Sequence, residues 1–462
     1  MSAAALDYTY RYPFSSRFAV HEGGSQLRLA TCGGVEQHPH FFSGKLTQPK
    51  ETADLLRGLL RVVQSRFHLP TASLKQVLDP VVTSGGERLR FEGFSACCSA
   101  YVRVDLLPGA FAGQFMGRGT TNVDFNPPTH AALARIRSDH EIVFSVGADT
   151  FELAREQGTV VERKVALPQR WLRGFVEVQA YQARMIPRLE VSGSEAQRFF
   201  RALPRTPMKS ACWIVTAGKE LRISQREQKD GVCVAGLQRL RVLEDLAHHA
   251  RCLRIYAESA TQTSTWELIT REARFHMVLS PDVWRGFSGE GQVLADLAST
   301  DWQSVLPRIR AALRWEAKID ADGLAKHHNL DAKAVAAALS VLASRGLVGY
   351  DLAERAYFQR ELPFDLSGVE ALQPRLLDAR KIVAAGGVRF IRREDGNKEA
   401  LVQGTGVEHR VRLSGTQWKC TCPWFAKHQG LRGPCKHVLA AQIVLEAPQG
   451  STTTEGKDST ER

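Results

Sequence analysis

Four side chains that bind zinc well lie close together near the end of the chain. Cys420 and Cys422 form one pair, and after a twelve-residue insert Cys435 and His437 form a second pair. Residues at i and i+2 of a strand point to one face, and a second pair beside a helix start can close a tetrahedron around one Zn²⁺. Three thiolates and one imidazole leave no open coordination position. The spacing therefore predicts one structural zinc rather than a catalytic one.

The order of segments around these residues is also informative. A C-x-C pair, a spacer and a C-x-H pair are followed by the apolar stretch 438–444, and the first cysteine is preceded by strand candidates at 399–402, 407–413 and 417–419. Over roughly residues 388–445 this arrangement resembles the SWIM zinc finger, and the chain resembles bacterial proteins of that family. The resemblance implies that both pairs ligate zinc, whereas His428 in the spacer fits the ligand spacing less well.

Basic and aromatic residues are interleaved around the predicted ligands. Phosphates attract the cations, and unstacked bases can lie on aromatic rings, although the aromatic residues also suit the small core of a zinc module. A net charge of +12 is compatible with a polyanionic partner as well. The main hypothesis is a DNA-binding or other nucleic-acid-binding protein. Its candidate contacts are Arg412, Lys419, Trp424, Lys427, Arg432 and Lys436.

The resemblance implies an alternative role. SWIM modules as a family are associated with protein–protein contacts as well as with DNA. Bacterial proteins similar to this chain tend to be encoded beside AAA+ ATPases of the MoxR class and von Willebrand factor A domain proteins. The alternative is therefore an adaptor that works with such an ATPase system and has no catalysis of its own.

A second readable module precedes the zinc pattern. Residues 305–363 predict a helix, a short helix that Asp320 can cap, a longer helix that Asp331 can cap and Gly346 can end, and then two strands. This order resembles a winged helix-turn-helix, whose third helix commonly enters the DNA major groove. The exposed positions of that helix are poor in the side chains that read base edges. DNA contact and a docking or scaffolding role are therefore both compatible with the sequence.

The rest of the chain predicts further α+β units. Apolar and polar residues alternate with period two in several short segments, and residues 51–67 and 169–183 have helical periodicity. Residues 206–299 predict a second mixed unit, with a helix at 237–250 and one strand candidate at 266–279. The prediction is a multidomain α+β chain with an N-terminal domain at 1–204, a middle domain at 205–300, a winged-helix-like domain at 301–363, a zinc module at 375–446 and a disordered tail at 447–462.

Composition and motifs narrow the function classes. The chain has no apolar stretch of membrane-spanning length and no signal-peptide pattern at its start, so we expect a cytoplasmic location without a membrane partner. No helicase, transposase, P-loop, metalloprotease or hydrolase motif is visible, which predicts a non-enzyme. The glycine-containing stretch 117–126 reads as a turn entering a strand. His248, His249 and His276 are isolated in the sequence and read as solvated or hydrogen-bonded histidines.

Overall fold

The computed structural model has a mixed α+β fold, as the sequence predicts. Within the described residues the strands form six sheets, of which the largest has eight strands. The structure describes the chain apart from residues 1–4, 22–23, 33–40, 68–78, 148–160, 207, 209, 285, 288–290, 299–301, 363–372, 395–396, 416 and 447–462.

The strands are short and occur along the whole described chain. In the first half they are β1 Ala5–Tyr12, β2 Arg17–His21, β3 Gly24–Leu29, β4 Phe42–Leu46, β5 Val81–Ser84, β6 Leu89–Phe94, β7 Ala100–Leu106, β8 Phe111–Phe115, β9 Gly119–Asn122, β10 Ile142–Val146, β11 Val161–Pro168 and β12 Ile186–Ser192. In the second half they are β13 Cys212–Ala217, β14 Glu220–Ser224, β15 Val232–Val234, β16 Cys252–Glu258, β17 Thr263–Ile269, β18 Ala273–Leu279, β19 Val348–Asp351, β20 Ala356–Gln359, β21 Val388–Glu394, β22 Asn397–Gln403, β23 Glu408–Ser414 and β24 Gln417–Cys420.

Helices occur along the whole described chain. The α-helices are α1 Pro49–Gln64, α2 Pro127–Arg135, α3 Gln169–Gln182, α4 Gly193–Arg201, α5 Leu294–Ala298, α6 Leu306–Ala312, α7 Ala321–His328, α8 Ala332–Ser344, α9 Pro374–Ala384, α10 Pro423–His428 and α11 Lys436–Glu446. Short 3₁₀ helices occupy Pro108–Ala110, Leu237–Leu243 and Ala247–His249. No helix in the described part of the chain is long and apolar enough to cross a membrane.

The eight-stranded sheet joins distant parts of the sequence. Its strand order is β12-β16-β17-β18-β7-β6-β5-β9, so strands from both sides of residue 204 form one sheet. A five-stranded sheet in the order β2-β3-β10-β4-β8 lies earlier in the chain, and β13, β14 and β15 form a smaller antiparallel sheet. One face of the large sheet is apolar and packs on α1, whose Leu55, Leu56 and Leu59 are buried.

The opposite face of the large sheet carries charged side chains in neighbouring positions on adjacent strands. Arg90 on β6 pairs across strands with Asp105 on β7, and the next row places Arg103 beside Glu92 and His276. Residues directly opposite in antiparallel strands share a face, so these groups alternate in sign on one surface. They are all almost completely buried. Burying a charge without a partner is strongly unfavourable, so each buried charge on this face needs a partner of opposite sign.

The β19–β20 hairpin covers this charged face. Arg90 Nη1 donates to Asp351 Oδ2 at 2.8 Å, and Arg103 Nη2 lies 3.4 Å from Asp351 Oδ1. Just after the hairpin, Arg360 Nη1 donates to Glu92 Oε1 at 2.6 Å. Burial by itself would raise the pKa of Asp351, but the charges of Arg90 and Arg103 outweigh it and lower this pKa. The hairpin thus supplies a second carboxylate, in addition to Asp105, that pairs with the two arginines.

The helices before the hairpin begin as the sequence predicts. Asp320 Oδ1 accepts a hydrogen bond from the Gly323 backbone N–H at 2.9 Å, and Asp331 Oδ2 accepts one from Ala334 at 2.8 Å. Gly346 ends this segment with a positive φ of 71°. The longer helix α8 packs against α3, α5, α6 and α7, so much of its surface is covered by protein.

Two segments differ from the expected pattern. Residues 237–250 form two 3₁₀ helices, because Leu237, Leu240, Leu243 and Leu246 recur every three residues, and this period aligns them on one buried side of a 3₁₀ helix. Residues 266–279 form parts of two strands rather than one, since the polar turn at 270–272 reverses the chain between β17 and β18.

We expect the Asp351→Ala substitution to lower the free energy of unfolding by about 3–5 kcal/mol, because it removes one of the two carboxylates that pair with the buried Arg90 and Arg103 and leaves Asp105 as the other. Urea unfolding followed by circular dichroism measures the change. Asp322→Ala, which removes an exposed carboxylate from the first turn of α7, is the matched control and should change the midpoint little. Equal destabilisation by both substitutions would contradict the assignment.

Candidate metal centre

The two ligand pairs lie at the ends of secondary-structure elements. Cys420 ends strand β24, which pairs with β23, and Cys422 is the N-cap residue of α10. Cys435 directly precedes α11, and His437 lies in the first turn of that helix. A strand end and two helix starts thus bring the pairs together. This arrangement confirms the interpretation of the sequence spacing.

The donor atoms converge within a small volume. The four ligand atoms lie within 4.8 Å of one another, and His437 Nδ1 is 3.9 Å from Cys420 Sγ. Zinc–sulfur and zinc–nitrogen bonds of about 2.3 and 2.0 Å place tetrahedral donors roughly 3.5–4 Å apart, so the group fits Zn²⁺. All four residues are buried, with exposed fractions of 8% or less. A buried set of four protein ligands indicates a structural site.

Backbone amides stabilise negative charge on the sulfur atoms. The N–H groups of Cys422, Phe425 and Val438 donate to the sulfurs of Cys420, Cys422 and Cys435 at 3.3–3.5 Å. A hydrogen bond from Cys420 lowers the pKa of Cys435 to about 4, and the same hydrogen bond raises the pKa of Cys420. The protein groups therefore favour one thiolate, and a bound Zn²⁺ supplies the charge that favours ionisation of all three.

The spacer between the ligand pairs rests on the body of the protein. Gln292 Nε2 donates to the Leu431 carbonyl at 2.9 Å, and Gln442 Nε2 of α11 donates to the Ala295 carbonyl at 3.1 Å. Gly433 has a φ of 76°, and a Cβ at this position would overlap the carbonyl oxygen of Gly291. Two glycines thus allow a close backbone approach between the zinc module and residues 291–295. No spacing in the sequence indicates this contact, because the two segments are more than a hundred residues apart.

Four of the six predicted nucleic-acid residues form two groups. Arg412 and Lys419 pair across β23 and β24 and lie on the exposed face of the four-stranded sheet β21-β22-β23-β24. Trp424 and Lys436 instead line a cleft of about 330 Å³ beside His437.

The second group already has intramolecular contacts. The Trp424 ring lies 4.6 Å from the Arg375 guanidinium and 4.8 Å from the His428 ring, and Lys436 Nζ is 3.7 Å from Asp378. Lys427 is exposed and Arg432 is half-buried. The arrangement of Trp424 leaves less of its ring for a base than the sequence suggests.

The sheet places further cations beside the predicted contacts. Arg389, Arg392 and Arg410 lie on the same exposed face as Arg412 and Lys419, as the antiparallel register shows. We call these five residues and this surface the outer face. In the sequence, Arg410 and Arg412 occur two positions apart in a predicted strand. This pattern places them on one face, and the cations of neighbouring strands can be assigned to the same face only when the strand register is known.

Comparison with known proteins supports the zinc module. Residues 409–444 match the family model of the SWIM zinc finger, so the chain contains this module. No curated protein matches the chain. Among solved structures, proliferating cellular nuclear antigen from Entamoeba histolytica is similar at 11% identity and a TM-score of 0.34, covering 53% of this chain and 99% of that one.

We expect purified protein to contain one zinc ion in the Cys420–His437 site, and Cys420→Ser to lose it, because three remaining ligands bind the ion much more weakly. Metal analysis after dialysis against a mild chelator measures the content. Cys233→Ser, which changes a half-buried cysteine of β15 outside the site, is the control and should retain zinc. Retention of zinc by the Cys420→Ser protein would contradict the ligand assignment.

We expect Gly433→Ala to destabilise the docked zinc module by about 1–3 kcal/mol more than Gly430→Ala, because only the former places a Cβ against the Gly291 backbone. Both glycines have positive φ, and a Cβ at Gly430 would meet no described atom within 4 Å, so the pair isolates the docking contact. Hydrogen exchange of residues 291–298 and of α11 measures the effect. Equal exchange in the two variants would contradict the docking role.

Proposed function

We propose that this zinc-binding protein binds nucleic acid through the outer face of its SWIM module. The observation that carries the proposal is the charge of that face, where, among the described residues, five exposed cations accompany the carboxylates of Glu399 and Glu408. A surface of this kind attracts phosphates and gains free energy from the release of counterions.

Glu399 arranges part of the outer face. It accepts a hydrogen bond from Arg412 Nε at 3.2 Å, and Arg410 Nε lies 2.9 Å from the same carboxylate oxygen. Both guanidinium groups remain about half exposed. A carboxylate with a 17% exposed side chain thus holds two arginines side by side, which lowers the entropy lost when they bind phosphates.

The width of the sheet supports contact with the backbone rather than with bases. Neighbouring strands are about 4.8 Å apart, so four strands and their side chains are wider than the roughly 12 Å major groove. A two-stranded ribbon enters that groove, but a four-stranded face lies across it. Phosphate contacts carry no direct sequence information, and we therefore propose binding with little sequence preference.

We infer a scaffolding role for the winged-helix-like segment, residues 306–359. Its order of three helices and a hairpin resembles a winged helix-turn-helix, but Asp351 of the hairpin is buried between Arg90 and Arg103. Helix α8, which has the place of a recognition helix, is packed against α3 and α5. These contacts favour a role in completing the body of the protein. The proposed function contains no catalytic step.

We expect zinc-loaded protein to bind both duplex DNA and RNA with an affinity that falls as salt increases. The Arg410→Ala/Arg412→Ala double variant should lower the slope of log affinity against log salt by about 2, because two phosphate contacts are lost. Fluorescence anisotropy over a salt series measures the slope. Both arginines are exposed, so the variant should fold and retain zinc.

Arg222→Ala provides the matched control for this experiment. Arg222 is an exposed strand arginine near Glu220 on β14, away from the zinc module, and its removal should leave the slope unchanged. Absence of binding at low salt would overturn the proposal. Capture of an AAA+ ATPase that tolerates salt and survives the double substitution would instead favour the adaptor alternative.

A further inference from the structure

A second group of side chains of metal-ligating type lies outside the zinc module. Asp54 is in α1, and His248 and His249 are in the short 3₁₀ helix Ala247–His249. Asp54 and His249 are separated by 195 positions in the sequence, so no local spacing indicates the group. Among the described residues, it and the SWIM ligands are the groups of at least three such side chains whose donor atoms lie within 4.8 Å of one another.

One carboxylate oxygen faces both imidazole rings. Asp54 Oδ2 is 2.9 Å from His249 Nε2 and 4.0 Å from His248 Nε2. Donor atoms bound at about 2.0–2.2 Å to one tetrahedral ion lie roughly 3.3–3.5 Å apart, so small side-chain rotations bring all three into a ligand shell. The two imidazole ring centroids are only 3.8 Å apart, which keeps their nitrogens on the same side.

The backbone around the group is held in place. A Cβ at Gly58 of α1 would lie 2.7 Å from Leu246 Cδ1, so a glycine at this position allows the residues before the histidines to pack closely on the helix. Arg61 of the same helix forms an ion pair with Asp245. These contacts fix the 3₁₀ helix opposite Asp54 and reduce the ordering that a bound ion requires.

The other carboxylate oxygen is occupied by cations. Lys50 Nζ and Arg57 Nη1 lie 2.8 and 3.4 Å from Asp54 Oδ1. A ligating carboxylate is commonly hydrogen-bonded through its second oxygen, and these contacts leave Oδ2 directed at the histidines. The positive charges also oppose a divalent ion, so the site suits ions that bind imidazole strongly rather than Mg²⁺ or Ca²⁺.

The group is open to solvent on one side. Asp54 is buried and His249 is half-buried. The His248 side chain is 47% exposed, so an ion can reach the group from solvent.

We propose that Asp54, His248 and His249 form a second metal site, which binds one transition ion such as Zn²⁺, Co²⁺ or Ni²⁺ independently of the SWIM zinc. Three protein ligands leave coordination positions for water or an added ligand on the solvent side. This site differs in kind from the closed zinc centre, because its ion is exchangeable.

Titration with Co²⁺ tests the proposal, using protein that retains only the SWIM zinc after dialysis against a mild chelator. We expect one additional Co²⁺ per chain by equilibrium dialysis, without the near-ultraviolet thiolate-to-cobalt absorption that exchange into the cysteine site would produce. His248→Ala and Asp54→Asn should each weaken this binding at least about tenfold, since each loses or neutralises a ligand. The half-exposed position of His248 makes its variant the less disruptive of the two for folding.

His327→Ala is the control for nonspecific binding by neighbouring histidines. His327 and His328 form another adjacent pair, with ring centroids 4.9 Å apart, outside both the SWIM ligands and the Asp54 group. Its removal should leave the additional Co²⁺ unchanged. Absence of additional Co²⁺ in the unsubstituted protein, unchanged affinity in the folded His248→Ala variant, or equal loss in His327→Ala would overturn the proposal.

Discussion

The charged face of the eight-stranded sheet constrains much of the structure. Arg90 and Arg103 are buried on strands β6 and β7, and the carboxylate that balances them with Asp105 comes from Asp351, more than two hundred residues later. Because unpaired buried charges are strongly unfavourable, the hairpin that carries Asp351 has little freedom to lie elsewhere. Its position also fixes α8, which packs on α3 and α5. Through these contacts, the segment that resembles a winged helix-turn-helix packs against the eight-stranded sheet and its neighbouring helices.

The zinc module is held together by its metal ligands and is also packed against the rest of the protein. Its ligands lie within a short stretch of chain, and metal binding supplies free energy that a small core lacks. The spacer and α11 additionally contact residues 291–295 through Gln292, Gln442 and the close approach of two glycines. These contacts indicate that loss of zinc also affects residues 291–295, on which the module packs.

The sequence predicted features that depend on near neighbours. The zinc ligands and the caps at Asp320 and Asp331 were found because each acts over a few residues. Charged residues such as Arg90 and Arg103 alternate with apolar ones, a pattern typical of a solvent-facing side, and only the hairpin reveals that this side is buried. The sequence of residues 237–250 predicts an α-helix, because leucines at every third position are compatible with both the α-helical and the 3₁₀ period. Groups formed across the fold, such as Asp54 with His249, leave no trace in spacing.

The distance along the chain between the charged strands and Asp351 has a consequence during synthesis. Translation proceeds from the N-terminus, so β6 and β7 leave the ribosome well before the hairpin exists. Until then the face that carries Arg90 and Arg103 is solvated and the sheet lacks its cover. A nascent chain of this protein therefore exposes, until the hairpin β19–β20 has been made, a surface that the finished protein conceals.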